Sequence, residues 1–211
     1  MDKKMSENVL NFINRKQSSI VFAAVLAAIV ILVVLSFNYL SKQKHIEGQK
    51  AFAEAVMSVS NGNDDAFEKL KAVADEYKGT SYSCYSLALA GKTLLDKKEY
   101  REAAIVFDEA LKAKQTTPFF VVQLYDSKAT ALEYDGALDD ALAAYKKALS
   151  VPNNYFRRNE ILLKSALLNL RMNQNNEAIK LFKEIIADTG AEEKHLRIAK
   201  NELEALEALN Q

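Results

Sequence analysis

The side chains that could do chemistry are few in this chain of 211 residues, and they stand far apart. The two histidines, His45 and His195, are separated by most of the sequence, and Cys84 is the single cysteine. Catalytic sites need titratable groups clustered beside a pocket, and the HExxH, CxxC and GxSxG motifs do not occur. We therefore expect no catalytic residue, no metal site and no cofactor, and an enzyme is the minor alternative.

Two pairs of neighbouring carboxylates invite a catalytic interpretation, but their positions favour a structural one. Asp139-Asp140 and Glu192-Glu193 each fall where a helix is predicted to begin. Acidic side chains in a first turn complement the positive end of the helix dipole. Cys84 cannot form a disulfide within the chain, and at the start of a predicted helix we expect it to be a small buried residue.

The charge balance excludes one broad class of partner. The chain has 28 basic and 28 acidic residues. The first 40 residues hold four basic and two acidic ones, so the remainder is slightly acidic. A nucleic-acid-binding domain needs a basic surface, and none is predicted here.

Three stretches of the sequence repeat one pattern, EYREAAIVFDEALK, ALDDALAAYKKALS and NNEAIKLFKEIIA. Their alanines Ala103, Ala141 and Ala178 are 38 and 37 residues apart, with an aromatic residue four positions after each and a further apolar residue three later. Residues at i, i+4 and i+7 share one face of a helix. Small residues also stand twelve positions before each alanine, which predicts a second helix packed on the first. The matching residues are Gly91, Ala129 and Ala166, the aromatics Phe107, Tyr145 and Phe182, and the later positions Ala110, Ala148 and Ile185.

These residues resemble the tetratricopeptide repeat (TPR), a helix–turn–helix unit that stacks into an α-solenoid. The resemblance covers roughly 84–187, with a third unit that is degenerate and spacings longer than the family period. It implies an all-α, TPR-like α-solenoid whose surface binds other proteins. The alternative is a generic bundle of α-hairpins.

A membrane anchor is predicted near the N-terminus. Ile20–Leu40 contains 21 residues without a charge, about 30 Å of helix, which is enough to cross a bilayer. The rival interpretation, a cleaved signal peptide, is weaker because the apolar run is long and no small-x-small site follows. Basic residues on the short N-terminal side favour a cytoplasmic N-terminus and a periplasmic C-terminal domain in a bacterial inner membrane.

The predicted organisation has five segments. A degenerate first hairpin is predicted before the clear repeats. Thr189-Gly190 is expected to end the last hairpin as a glycine cap. An amphipathic final helix is expected to cover the end of the stack. The segments are a short cytoplasmic N-terminus (1–19), a signal anchor (20–40), a linking helix with the degenerate hairpin (41–81), three TPR-like hairpins (82–190) and a capping helix (191–211).

The resemblance also implies a concave groove lined by the first helix of each repeat. Repeats that clamp a C-terminal carboxylate carry Lys, Arg and Asn there, and only Lys92 fits, so an acidic tail is disfavoured. The third helix is rich in leucine, which indicates either cover by neighbouring helices or an apolar groove for a peptide. The predicted partner-binding residues are Tyr85, Lys92, Gln123, Asp126, Thr130, Glu133, Leu163 and Leu167.

Two longer stretches, Gly48–Asn63 and Tyr85–Ala104, are similar to a narrower family, the ancillary TPR proteins associated with the Sec translocon of bacterial inner membranes. This resemblance implies a role beside the export channel, with the translocon and periplasmic chaperones as partners. A structural scaffold of an envelope or division complex is the alternative function. The sequence leaves self-association open, through the span or through an end of the array.

Overall fold

The structure is a computed structural model that describes residues 3–113 and 117–209. The first two residues of the predicted cytoplasmic segment and the last two of the predicted capping helix lie outside this range. The chain divides into two units, Met1–Glu47 and Gly48–Gln211. The described residues form helices and turns without a strand, which confirms the all-α prediction.

Nine helices follow one another in the described chain. Their bounds are α1 Lys3–Ser60, α2 Ala66–Glu76, α3 Ser81–Asp96, α4 Tyr100–Lys112, α5 Pro118–Asp135, α6 Leu138–Ser150, α7 Tyr155–Arg171, α8 Asn175–Ala187 and α9 Glu193–Leu209. The end of α1 falls immediately before Asn61-Gly62-Asn63, residue types that favour a turn over a helix. The domain boundaries proposed from the sequence stay predictions.

The first unit contains the apolar part of α1. From Val21 to Leu40 every side chain is exposed, including Phe22 and Phe37. This helix is long and apolar enough to cross a membrane, by length and composition alone. Its apolar surface is uncovered within its own unit.

The second unit is built from helical hairpins in tandem. Helices α3 and α4, α5 and α6, and α7 and α8 pack as pairs, and α9 packs on α8. The buried apolar side chains form three successive clusters, the first reaching from the end of α1 to α5, the second from α5 to α7, and the third from α7 to α9. This tandem arrangement confirms the TPR-like α-solenoid.

Local signals in the sequence explain several helix ends. Thr117 caps α5 by accepting a hydrogen bond from the Phe120 amide at 3.2 Å, and Pro118 occupies the first turn. Gly136 ends α5 with φ +85°, a left-handed conformation that glycine adopts without strain. Asp139 and Asp140 lie in the first turn of α6, as predicted.

One predicted helix end is wrong. Helix α8 ends at Ala187, and Asp188 after it has an extended backbone. Gly190 does not have a positive φ, so it is not a left-handed glycine cap. Instead, the Asp188 carboxylate accepts a hydrogen bond from the Gly190 amide at 2.9 Å. The aspartate side chain therefore shapes this turn, which removes the need for a left-handed glycine.

Candidate partner-binding groove

The repeated residues position the first helix of each hairpin. All three alanines and all three aromatics of the pattern are buried, and Ala110, Ala148 and Ile185 are buried beside them. Gly91, Ala129 and Ala166 on the partner helices are buried as well. Small residues on one helix admit an aromatic ring from the other, so α3, α5 and α7 are each held at a fixed distance from their partners. Those three helices carry the predicted groove residues.

On α3 the predicted residues are Tyr85 and Lys92. Tyr85 is half-buried and packs edge-on against Phe120 of α5, with ring centroids 5.1 Å apart. Its ring also lies 6.1 Å from that of Phe52. Lys92 is exposed. Tyr85 therefore acts as much in joining helices as in presenting a surface, whereas Lys92 is accessible to a partner.

On α5, Gln123 is exposed but Asp126 is buried, with 6% of its surface accessible. The Asp126 carboxylate accepts hydrogen bonds from Lys164 Nζ at 2.7 and 2.9 Å and from Arg157 Nη2 at 2.7 Å. Both cations belong to α7. Asp126 is thus occupied by ion pairs within the chain that join the second hairpin to the third.

Glu160 completes this charge cluster. Arg157 donates to both of its carboxylate oxygens, at 2.7 and 2.9 Å, and Lys164 Nζ lies 3.3 Å away. The hydrogen bonds from Arg157, with the charge of Lys164, lower the pKa of Glu160 to about 2, although partial burial opposes the shift. The same contact with Glu160 raises the pKa of Arg157. Two acids and two bases therefore neutralise one another.

Further along α5, Thr130 and Glu133 are partly buried. The Thr130 hydroxyl donates to the Asp126 carbonyl at 2.9 Å, so it is satisfied within its own helix. Glu133 accepts a hydrogen bond from the Tyr145 hydroxyl at 3.2 Å and pairs with Arg171 of α7. Glu133 therefore provides a second ion pair between the same two helices.

The two predicted leucines of α7 differ in access. Leu163 is 8% exposed and belongs to the third apolar cluster, with residues of α8 and α9, whereas Leu167 is 37% exposed. Of this pair, Leu167 offers apolar surface to a partner. The assignment of all eight residues to partner binding stays a prediction.

Sequence reasoning missed three basic residues of α7, Arg157, Lys164 and Arg171. A signal for two of them was present, because Lys164 follows Asp126 by 38 residues and Arg171 follows Glu133 by 38. That separation is one repeat step, so such residues occupy matching places on successive hairpins. It also missed the exposed pair Phe119 and Phe156, whose ring centroids are 4.8 Å apart.

The described part of the second unit also has open cavities elsewhere. One of about 490 Å³ is lined by Asp108, Tyr125, Lys128 and Asp140, among others. Another of about 450 Å³ lies near Asp75, Lys78 and Glu109. None of the eight predicted residues lines either one. Among the described residues, no group of three or more metal-ligating side chains comes together.

No protein-family model matches the sequence, and no curated protein matches it. Among solved structures, the chain is similar to "MamA 41-end from Desulfovibrio magneticus RS-1" at 16% identity and a TM-score of 0.30, over 65% of this chain and 92% of that one. A second similar structure, "MamA RS-1 ArsTM double mutant", has 17% identity and a TM-score of 0.29, over 64% and 90% of the respective chains. At such TM-scores two structures do not superpose closely, so the fold assignment rests on the hairpins and buried markers described above.

Proposed function

We propose that this protein is a membrane-anchored adaptor whose TPR-like hairpins bind protein partners at the extracytoplasmic face of a bacterial inner membrane. The observation that carries the proposal is the presence in one chain of two different surfaces. One is an apolar helix exposed on all sides, and the other is a tandem array whose first helices expose Lys92, Gln123 and Leu167.

The exposed apolar helix supports the anchor. Between Val21 and Leu40 the large apolar side chains are valine, leucine, isoleucine and phenylalanine. Each of these is at least half exposed except Leu26, which is 47% exposed. Water would oppose so much uncovered apolar surface, whereas lipid would accept it. Phe37 and Tyr39 stand near one end of the span, where aromatic side chains favour the membrane interface.

The tandem hairpins support the adaptor role. Stacked repeats expose a long, open surface rather than a single deep pocket, and such surfaces serve mainly to bind other macromolecules. Asp126 and Glu133 of α5 pair with Arg157, Lys164 and Arg171 of α7, so these charges are balanced within the chain, and Lys92, Gln123 and Leu167 are the exposed members of the predicted set. The proposal assigns no catalytic role to the chain.

Protein export or envelope quality control is the setting that we favour. The translocon and periplasmic chaperones are the proposed partners, on the basis of the sequence resemblance at Gly48–Asn63 and Tyr85–Ala104. A scaffold in an envelope or division complex uses the same fold and anchor, so it is the second candidate.

Two experiments, done one after the other, test this proposal. A periplasm-specific reporter fused after Gln211 should be active, and a reporter active only in the cytoplasm would overturn the orientation. Crosslinking of the full chain in native membranes, followed by identification of the partners, then separates the two settings. Translocon subunits, chaperones or chains in transit would support export, and division or wall-assembly proteins would support the scaffold.

A further inference from the structure

The joint between the second and third hairpins is built differently from its neighbours. Among successive helices from α2 to α9, the packing between α6 and α7 is the least extensive. Apolar contact across this joint comes mainly from Ile161 and Leu168 of α7, which enter the cluster formed by α5 and α6. A joint with little packed surface opens at a lower free-energy cost than one with much.

The turn at this joint is nevertheless well defined. Asn154 is buried, and its side-chain amide donates to the carbonyls of Ala148 and Leu149, at 3.2 and 2.8 Å. Both carbonyls lie in the last turn of α6, where backbone donors are few, and the Ala148 carbonyl also accepts a hydrogen bond from the Val151 amide at 3.3 Å. The turn between α6 and α7 is therefore held in place by the Asn154 side chain.

Three sets of side-chain contacts join α5 to α7, and together they form what we call the α5–α7 seam. Phe119 packs against Phe156 near the beginnings of both helices. Asp126, halfway along α5, pairs with Arg157 in the first turn of α7 and with Lys164 near its middle, and Glu133 pairs with Arg171 near the ends of both helices. The seam is thus closed by one aromatic contact and two sets of ion pairs at increasing distance along the helices.

The two sets of ion pairs differ in exposure. The side chains of Asp126, Arg157 and Lys164 are 9%, 18% and 34% exposed, and those of Glu133 and Arg171 are 25% and 55% exposed. Dissolved salt screens exposed pairs strongly and buried pairs much less. The Glu133–Arg171 end should therefore respond to ionic strength, and the Asp126 cluster should resist it.

We infer that the α5–α7 seam is a hinge that sets the width of the groove, with Asp126 as the positioning residue that holds it closed and Glu133–Arg171 as the end that opens. This inference goes beyond the proposed function, because it concerns how the groove changes shape whichever partner it receives. The aromatic pair and the Asp126 cluster act as the pivot.

The test measures distances between spin labels on the full chain, solubilised in detergent micelles, with Cys84→Ala as the background. One label pair, at Asp135 and Gln174, reports the end that opens, and a second, at Gln123 and Tyr155, reports the pivot. All four positions are exposed. A third pair, at Asp96 and Asp135, reports the neighbouring α3–α5 seam and is the control.

Raising the salt from about 0.1 M to about 1 M shortens the screening length from about 10 Å to about 3 Å. We expect the 135–174 distances to shift upward and broaden while the 123–155 and 96–135 distances stay unchanged. Equal shifts in all three pairs, or no shift at 135–174, would overturn the inference. In this experiment the ion-paired residues keep their natural side chains, so the result does not depend on whether a substituted variant folds.

Variants then test the individual residues at low salt. Glu133→Gln should shift the 135–174 pair alone, and Asp126→Asn should shift both 135–174 and 123–155. Asp126→Glu restores the charge, so it should recover the narrow distributions, a rescue that a purely steric role for Asp126 would not give. Circular dichroism establishes that each variant is folded. Unchanged distances in folded Asp126→Asn would refute the positioning role.

Discussion

The ring of Phe107 on α4 lies directly against the backbone of Gly91 on α3. A Cβ atom added at Gly91 would stand 2.8 Å from Phe107 Cε1 and 2.9 Å from two further ring atoms. Separations under about 3 Å are not tolerated without movement, and a ring buried to 2% exposure has little room to move. Glycine at this position is therefore required by packing rather than by backbone conformation.

Gly91→Ala should consequently destabilise the chain. Overpacking a core typically costs about 1–3 kcal/mol, and alanine recovers about 1 kcal/mol through its better helix propensity. We expect a net loss of about 1 kcal/mol, measured as a lower urea midpoint. Lys92→Ala, on the exposed face of the same helix, should change little. The double variant Gly91→Ala/Phe107→Leu should lose less than the two single effects added together, and additivity would show that the contact is unimportant.

Acid should destabilise the fold through Glu160 of α7. Its pKa is about 2 in the folded chain, against 4.5 without these contacts, because Arg157 and Lys164 favour the ionised form. A depressed pKa stabilises the fold fully above the unfolded value and loses that contribution as the pH falls toward the folded one. Urea midpoints should therefore fall between about pH 4.5 and about pH 2.

Glu160→Gln provides the matched comparison. This variant should be less stable at neutral pH and should lose less on acidification, whereas Glu207→Gln, at an exposed site on α9, should behave as the wild type does. A Glu160→Gln acid profile parallel to that of the wild type would contradict the assigned role of Glu160.

Cys84 should be chemically silent in the folded protein. It is fully buried, and burial raises the pKa of its thiol to about 11. Because the thiolate is the reactive form, a thiol-specific reagent should react slowly until the chain is denatured. A Cys84→Ala/Gln123→Cys variant should react rapidly without denaturant. Fast reaction of native Cys84 would mean that this helix opens readily.

The domain beyond residue 41 should fold without the apolar segment. Its three apolar clusters are formed by residues from Ala51 onward, so none of them depends on the span. A 41–211 fragment should be soluble and mainly helical by circular dichroism, with a cooperative thermal transition. Predominantly coil or strand signal would contradict the fold.

The fold could be predicted from the sequence because its strongest contacts are periodic. Alanine at 103, 141 and 178 and the aromatics that follow are buried as the pattern requires, since each must fit between two helices. A left-handed glycine was predicted at Gly190 on composition alone, but the Asp188 side chain forms that turn instead. Local chemistry of this kind depends on side-chain direction, which residue type does not fix.

The groove was less predictable for a related reason. The position of a residue on the first helix of a hairpin indicates the helix face on which it lies. It does not indicate whether a side chain from a neighbouring helix covers that residue. Asp126 was expected to face a partner, and the structure places it in ion pairs with Arg157 and Lys164. Leu163 and Leu167 differ in the same way, because Leu163 is buried in the third apolar cluster and Leu167 is 37% exposed. Predicting such pairings requires knowledge of how two neighbouring hairpins are placed relative to each other.

The adaptor role is tested most directly by site-specific photocrosslinking of the full chain in its native membrane. A photoreactive amino acid replaces Gln123 on the groove side of α5, and the matched control replaces Lys146 on α6 of the same hairpin; both sites are exposed. We predict adducts with translocon subunits, periplasmic chaperones or exported chains from position 123 and none from position 146. Equal adducts from both positions, or none from position 123, would contradict the proposal that this face binds protein partners.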